Sequence, residues 1–233
     1  MSDMEGKPAG SERPLSARPE LEDFRGKYES GRIGQALVDR YFHGVGELLA
    51  YVDMRDTQRA IEIGCGEGLS TVRLQRLLDH RISLEASEYV QKQVLLAREN
   101  NPEISVVQES VYELTHRPET FDIIFLLEVL EHLDYPDIAL EEVSRVLRPG
   151  GYLLASVPRE PLWRVLNTVR GKYLADLGNT PGHLNHWSKR AFINFINEGF
   201  GEVVASRSPI PWTLALARKR DGISAEASES EFS

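Results

Sequence analysis

The chain has 233 residues, 41% of them hydrophobic and 27% charged, with a formal net charge of −9. Those proportions suit a single globular domain with a full core, and the acidic balance disfavours a global electrostatic grip on nucleic acid. A single cysteine, Cys65, excludes a disulfide framework within the chain. No apolar run is long enough to cross a bilayer, so a cytoplasmic protein is expected.

In chain order, residues 1–22 are rich in Pro, Ser, Gly and charge and read as a disordered leader. Residues 23–220 form the expected single domain, and 221–233 read as a disordered acidic tail. Apolar residues at helical spacing from Ile33 to Val52 predict a helix. Strands and helices then alternate. Ala60–Ile63 is a buried strand followed by a helix over Ser70–Leu78. Arg81–Glu85 is a strand followed by a helix over Glu88–Asn100, and Ile104–Gln108 is a third strand. Phe121–Leu127 is an unbroken apolar run, as expected of a central strand covered on both faces. Pro136–Leu147 is a helix ended by Arg148-Pro149-Gly150-Gly151, and Tyr152–Val157 is a fifth strand. Helices are expected over Leu162–Leu177 and Ser188–Asn197. Glu202–Arg207 and Trp212–Arg218 read as a closing hairpin. Strands separated by helix-length segments imply crossover connections and a parallel sheet, which binds ligands beyond the carboxyl ends of its strands.

The most specific local pattern is Glu62-Ile63-Gly64-Cys65-Gly66-Glu67-Gly68, between the first strand and its helix. Glycines without Cβ let a backbone approach a ligand closely and accept positive φ. A dinucleotide site needs G-x-G-x-x-G, whose third glycine would fall on Leu69. Glu85, read as the end of the second strand, can accept hydrogen bonds from both hydroxyls of a ribose. After the fourth strand comes Glu128-Val129-Leu130-Glu131-His132. Positions i, i+3 and i+4 share a helical face, so Glu128, Glu131 and His132 are expected to converge. Two carboxylates and an imidazole suit Mg²⁺, Mn²⁺ or Zn²⁺. A second histidine group, Gly182-His183-Leu184-Asn185-His186, precedes a helix capped by Ser188.

Glu-x-Gly-x-Gly-x-Gly resembles motif I of class I S-adenosylmethionine-dependent methyltransferases. Phe121-Asp122-Ile123-Ile124 and Arg145–Gly151 resemble their fourth strand and the turn after the following helix. The resemblance implies a Rossmann-like α/β fold: a mostly parallel seven-stranded sheet with helices on both faces and a terminal antiparallel hairpin. It implies S-adenosylmethionine held by Glu62, Gly64, Cys65, Gly66, Gly68, Glu85 and Glu128, with Ser110 and Val111 beside the adenine. Ser110 departs from the family here, where many members have an acid. Within the class, the stronger resemblance is to ubiquinone-biosynthesis O-methyltransferases, and it extends through Val157–Trp163 and Asp176–His183. It implies O-methylation of a phenol- or catechol-like small molecule, with a divalent cation on Glu128, Glu131, His132 and His186, His183 being the alternative extra ligand, and with His132, His186 or His183 as catalytic histidines.

Two other readings are an RNA 2′-O-methyltransferase, which the acidic charge opposes, and a non-catalytic cofactor-binding partner of another methyltransferase. Residues 159–187 read as a lid insertion over the acceptor. Its basic amphipathic stretch, 162–177, reads first as a lid packed on the domain itself and alternatively as a peripheral membrane contact. A monomer or homodimer is expected.

Overall fold

The computed structural model describes residues 31–171 and 173–220. The expected leader and tail lie outside the described residues. Helix α1 (Gly31–Leu49) presents Val38, Tyr41, Phe42, Val45, Leu48 and Leu49 to the core, an apolar stripe at helical spacing. Then follow β1 (Arg59–Ile63), α2 (Leu69–Leu77), β2 (Ser83–Glu88), α3 (Gln91–Asn100), β3 (Ser105–Gln108) and β4 (Phe121–Leu127). A 3₁₀ turn (Leu130–His132) leads to α4 (Pro136–Val146), β5 (Leu147–Pro158) and α5 (Leu162–Val169). A second 3₁₀ turn (Leu174–Asp176), α6 (Lys189–Gly199), β6 (Gly201–Arg207) and β7 (Trp212–Lys219) complete the domain.

The seven strands lie in the order β3-β2-β1-β4-β5-β7-β6. All neighbouring pairs are parallel except those of β7, which runs antiparallel to β5 and β6. Every residue of β4 is buried, as a strand covered on both faces requires. One core packs α1, α2 and α3 on one face of the sheet; the other packs α4 and α6 on the opposite face. The expected Rossmann-like architecture is therefore observed. The strand order reverses between β1 and β4, and the crevice above their carboxyl ends is where such sheets take ligands.

Three element boundaries differ from expectation. Strand β2 runs on to Glu88 rather than stopping at Glu85. Arg148–Gly151 lies within β5 as a bulge against β4, because the register shifts between Phe121 and Ile123 and Gly150 adopts φ +68°. The helix expected over Leu162–Leu177 ends at Val169. Gly171, Tyr173 and Leu177 all adopt left-handed φ, which an α-helix cannot continue through.

Candidate active site

The turn after β1 is built around positive φ at Gly64 (+75°), Gly66 (+56°) and Gly68 (+77°). The amides of Gly64 and Cys65 both donate to the carbonyl of Ser87 on β2 (2.8 and 3.0 Å). Side-chain amides at the end of α3 hold the rest of the turn: Asn100 Nδ2 donates to Glu67 O and Asn101 Nδ2 to Gly68 O (2.8 and 3.0 Å). A Cβ on Gly68 would collide with Asn101, and one on Gly64 would strike Val129. One on Gly66 would meet nothing within 4 Å. Gly66 is thus the point where backbone faces open space.

Two acids flank this turn. Glu62 is fully buried, and burial pushes its carboxyl up to about 7. The Thr71 hydroxyl donates to its Oε2 (2.5 Å), while Oε1 is buried with no hydrogen-bond partner among the described residues. Glu88, at the carboxyl end of β2, accepts from the amides of Gly66 and Val90 (2.9 Å each), and burial raises its carboxyl above the ordinary range. Glu85 does not occupy this edge. It pairs in mid-strand with Ile61 and Ser105, and its carboxylate meets Arg59 (2.6 Å) and His116 (3.3 Å). The strand end expected at Glu85 falls three residues short of the observed one at Glu88. The Cys65 thiol is buried and pushed well above its usual range by burial, so Cys65 brings only its backbone to the turn. Ser110 and Val111 follow β3, where the Ser110 hydroxyl accepts from the Tyr112 amide (3.2 Å).

The turn after β4 carries the second group of candidates. Glu128 adopts φ +58°, costly for a residue with a Cβ. Its amide donates to the carbonyl and hydroxyl of Ser156 (3.1 and 3.2 Å), and that hydroxyl meets Tyr41 Oη of α1 at 2.6 Å. Because Glu128 lies outside the single 3₁₀ turn, the helical face expected to join it to Glu131 and His132 does not form.

The late histidine segment is laced onto that turn instead. The amides of Leu184 and Asn185 donate to Glu131 O (2.8 and 3.0 Å), and Asn185 Nδ2 donates to the carbonyls of Leu130 and Leu133 (3.2 and 2.6 Å). The lacing brings Glu131, His132 and His183 together, each offering a ligand atom, all within 4.8 Å of one another. His132 Nδ1 lies 3.0 Å from Gly182 O. A carbonyl can only accept, so Nδ1 carries a proton and the ring is fixed through it. Backbone support of that kind is usual behind a metal-ligating imidazole. His186 is not in the cluster. Its Nε2 meets Asn179 Oδ1 at 2.6 Å, and burial, then Arg164, holds its basicity below the usual imidazole range. Of the four residues expected to hold a cation, the fold brings Glu131 and His132 together with His183, and Glu128 and His186 lie outside that group. Aromatic rings continue the cluster along the carboxyl edge: His183 stacks on Trp163, Trp163 abuts Trp212, and Trp212 meets Tyr41 edge-on.

Residues 61–155 match a family described as a methyltransferase domain. That segment, which runs from β1 into β5 and carries the glycine turn, is similar to the methyltransferase domains of that family. The chain is 35% identical over 121 residues to an uncharacterized methyltransferase of Schizosaccharomyces pombe, covering 46% of this chain and 41% of that one. It is 30% identical over 146 residues to a ubiquinone biosynthesis O-methyltransferase of Parvibaculum lavamentivorans, covering 62% and 57%. The chain spans about half the length of the curated relatives it matches. A solved S-adenosylmethionine-dependent methyltransferase of Aquifex aeolicus superposes with a TM-score of 0.64 at 16% identity, over 85% of this chain and 99% of that one, and shares its fold.

The residues at the carboxyl edge fit the family's cofactor. A buried carboxylate oxygen without a partner among the described residues, Glu62 Oε1, suits a cationic amine. The open face of Gly66 leaves room for a ligand against the backbone. Mixed oxygen and nitrogen donors at Glu131, His132 and His183 fit a divalent cation.

Proposed function

We propose that this chain transfers the methyl group of S-adenosylmethionine to a hydroxyl oxygen of a small phenol- or catechol-like acceptor. The observation that carries the reading is the juxtaposition at the switch point of the glycine turn, with Glu62 and Glu88, and the Glu131–His132–His183 cluster. In this reading Glu88, not Glu85, accepts from the ribose hydroxyls. Glu62 balances the charge of the amino-acid end, and the backbone at Gly64, Gly66 and Gly68 gives the cofactor close contact. Ser110 and Val111 lie on the adenine side.

The acceptor oxygen forms a bond to the methyl carbon as the carbon–sulfur bond breaks, and the demethylated cofactor leaves. The hydroxyl proton passes to an imidazole, for which His132 Nε2 is oriented by the Gly182 carbonyl. With a divalent cation on Glu131, His132 and His183, His132 Nε2 would instead be a ligand, and the cation would lower the pKa of a bound hydroxyl so that its proton is lost to solvent. The aromatic faces of Trp163 and His183 suit a planar acceptor. The likeness to ubiquinone biosynthesis O-methyltransferases supports oxygen as the methylated atom.

A peripheral membrane contact belongs to the same proposal. Val165, Val169, Leu174 and Leu177 are exposed large apolar side chains on the lid, with Arg164 and Arg170 among them. No helix among the described residues is long and apolar enough to cross a membrane.

The test is methyl transfer from labelled S-adenosylmethionine to a panel of phenols, catechols, amines and single-stranded RNA. Label in a phenolic ether supports the proposal. Label confined to amines or RNA overturns it.

A further inference from the structure

Away from the catalytic edge, on the face of the sheet packed by α4 and α6, lies a cluster of charge that the proposed chemistry does not use. His116 sits between two carboxylates. Its Nε2 lies 3.3 Å from Glu85 Oε2 and its Nδ1 lies 3.9 Å from Glu109 Oε1. Both His116 Nδ1 and Glu109 Oε1 are buried and have no hydrogen-bond partner among the described residues. The ring packs edge-on against Phe121 with centroids 4.8 Å apart.

These groups bound the segment that carries Ser110 and Val111. At its start the Glu109 amide donates to Glu88 O (3.2 Å), so it adjoins the acid at the end of β2. Glu109 Oε2 accepts from the amide and hydroxyl of Thr115 (2.9 Å each), which closes residues 109–115 into a loop. From α4, Arg145 donates to the carbonyls of Leu114 and His116 (2.9 Å each), and Glu142 accepts from the Leu114 amide (2.8 Å). From β1, Arg59 pairs with Glu85 and lies over the Phe121 ring. The charged groups facing the imidazole region are thus Glu85, Glu109, Arg59, Arg145 and Glu142.

We infer that His116 is a positioning residue for the adenine side of the cofactor site, and that it positions the 109–115 loop through a proton-dependent strap between Glu85 and Glu109. The argument is one of donor count. A neutral imidazole has one N–H and can serve one carboxylate; an imidazolium has two and serves both. With both served, the loop is tied to β2 on one side of His116 and closed by Glu109 on the other. With one served, a buried carboxylate oxygen stays without a donor, and the loop loses one of its ties. Loop placement then reaches the cofactor through the Glu109 amide on Glu88 and through Ser110.

The inference rests on the proposed cofactor site. Its test is the affinity for S-adenosylhomocysteine by calorimetry at about pH 6 and about pH 8, the span over which imidazoles titrate. Glu62 and Glu88 titrate in the same site, so the readout is the difference between wild type and His116→Asn. Wild-type affinity falls about tenfold more across that span than the variant's, a factor typical of coupled sites. Glu85→Gln, which keeps shape and removes one charge, lessens the same pH dependence and covers the case in which His116→Asn does not fold. Identical pH profiles in wild type and variants overturn the strap. Absence of binding in folded wild type at either pH overturns the cofactor reading and the strap with it.

Discussion

A Cβ placed on Gly64 would lie 2.6 Å from Cγ2 of Val129, so the turn after β1 and the turn after β4 touch across the switch point of the sheet. One contact joins the two halves of the proposed reaction. The glycine turn is the donor side; Val129 stands between Glu128 and the 3₁₀ turn that bears Glu131 and His132. Moving either turn moves the other, because neither has slack at Gly64.

Gly64 and Gly66 should therefore fail differently when given a methyl group. Gly64→Ala meets both a positive φ and Val129, and should destabilise the fold by about 2 kcal/mol or more. Gly66→Ala has open space and bears the φ strain alone, about 1 kcal/mol. It should stay folded yet lose at least tenfold in S-adenosylhomocysteine affinity. Thermal melts beside calorimetry separate the two effects.

The buried Glu62 makes the ligand-free protein pH-sensitive. Its carboxyl is pushed from 4.5 to about 7 by burial. Between those values the unfolded chain releases the proton that the native state keeps, so stability falls as pH rises through that window. Glu62→Gln removes the penalty. It should stabilise the protein by up to about 3 kcal/mol at pH about 8, for 2.5 pK units, and little at pH about 4, read as a higher melting temperature at the upper pH alone. It should also weaken cofactor binding. Equal stabilisation at both pH values would contradict the burial argument.

The proposed metal ligands separate the two late histidines. Mn²⁺ or Zn²⁺ titrated into the protein should bind at one site per chain. Glu131→Ala and His183→Ala should each weaken it at least tenfold. His186→Ala should leave it unchanged, since that ring is held by Asn179 outside the cluster. The reverse pattern would restore the set expected from sequence.

Lid contact with lipid is tested by flotation with liposomes containing anionic lipid. Val169→Asp with Leu177→Asp replaces two side chains that are each 79% exposed, so the fold should be unaffected. Flotation should be lost while cofactor affinity stays the same. Undiminished flotation would place the contact elsewhere.

Much of this was legible in sequence because period and composition report burial. The unbroken run Phe121–Leu127 read as the central strand, and the alternate glycines read as a ligand turn. What failed were the positions where tertiary contacts decide the backbone. Glu85 and Glu88 are both acids near the end of one strand. Only pairing with β3 through Gln108 shows that the strand continues to Glu88. Glu128 looked like the first residue of a helical face, but its hydrogen bonds to Ser156 hold it in a left-handed turn. His183 and His186 were indistinguishable as ligands. Hydrogen bonds from Leu184 and Asn185 to the 130–133 segment bring His183, and not His186, beside Glu131 and His132, and those are long-range contacts that no local pattern encodes.

The most direct test of the central claim is calorimetric titration of S-adenosylhomocysteine into wild type and Glu88→Ala. One molecule should bind per wild-type chain, with at least a tenfold loss of affinity in the variant, because the carboxylate at the end of β2 is the proposed holder of the ribose. No binding to folded wild type at millimolar ligand, or undiminished binding to Glu88→Ala, would contradict it.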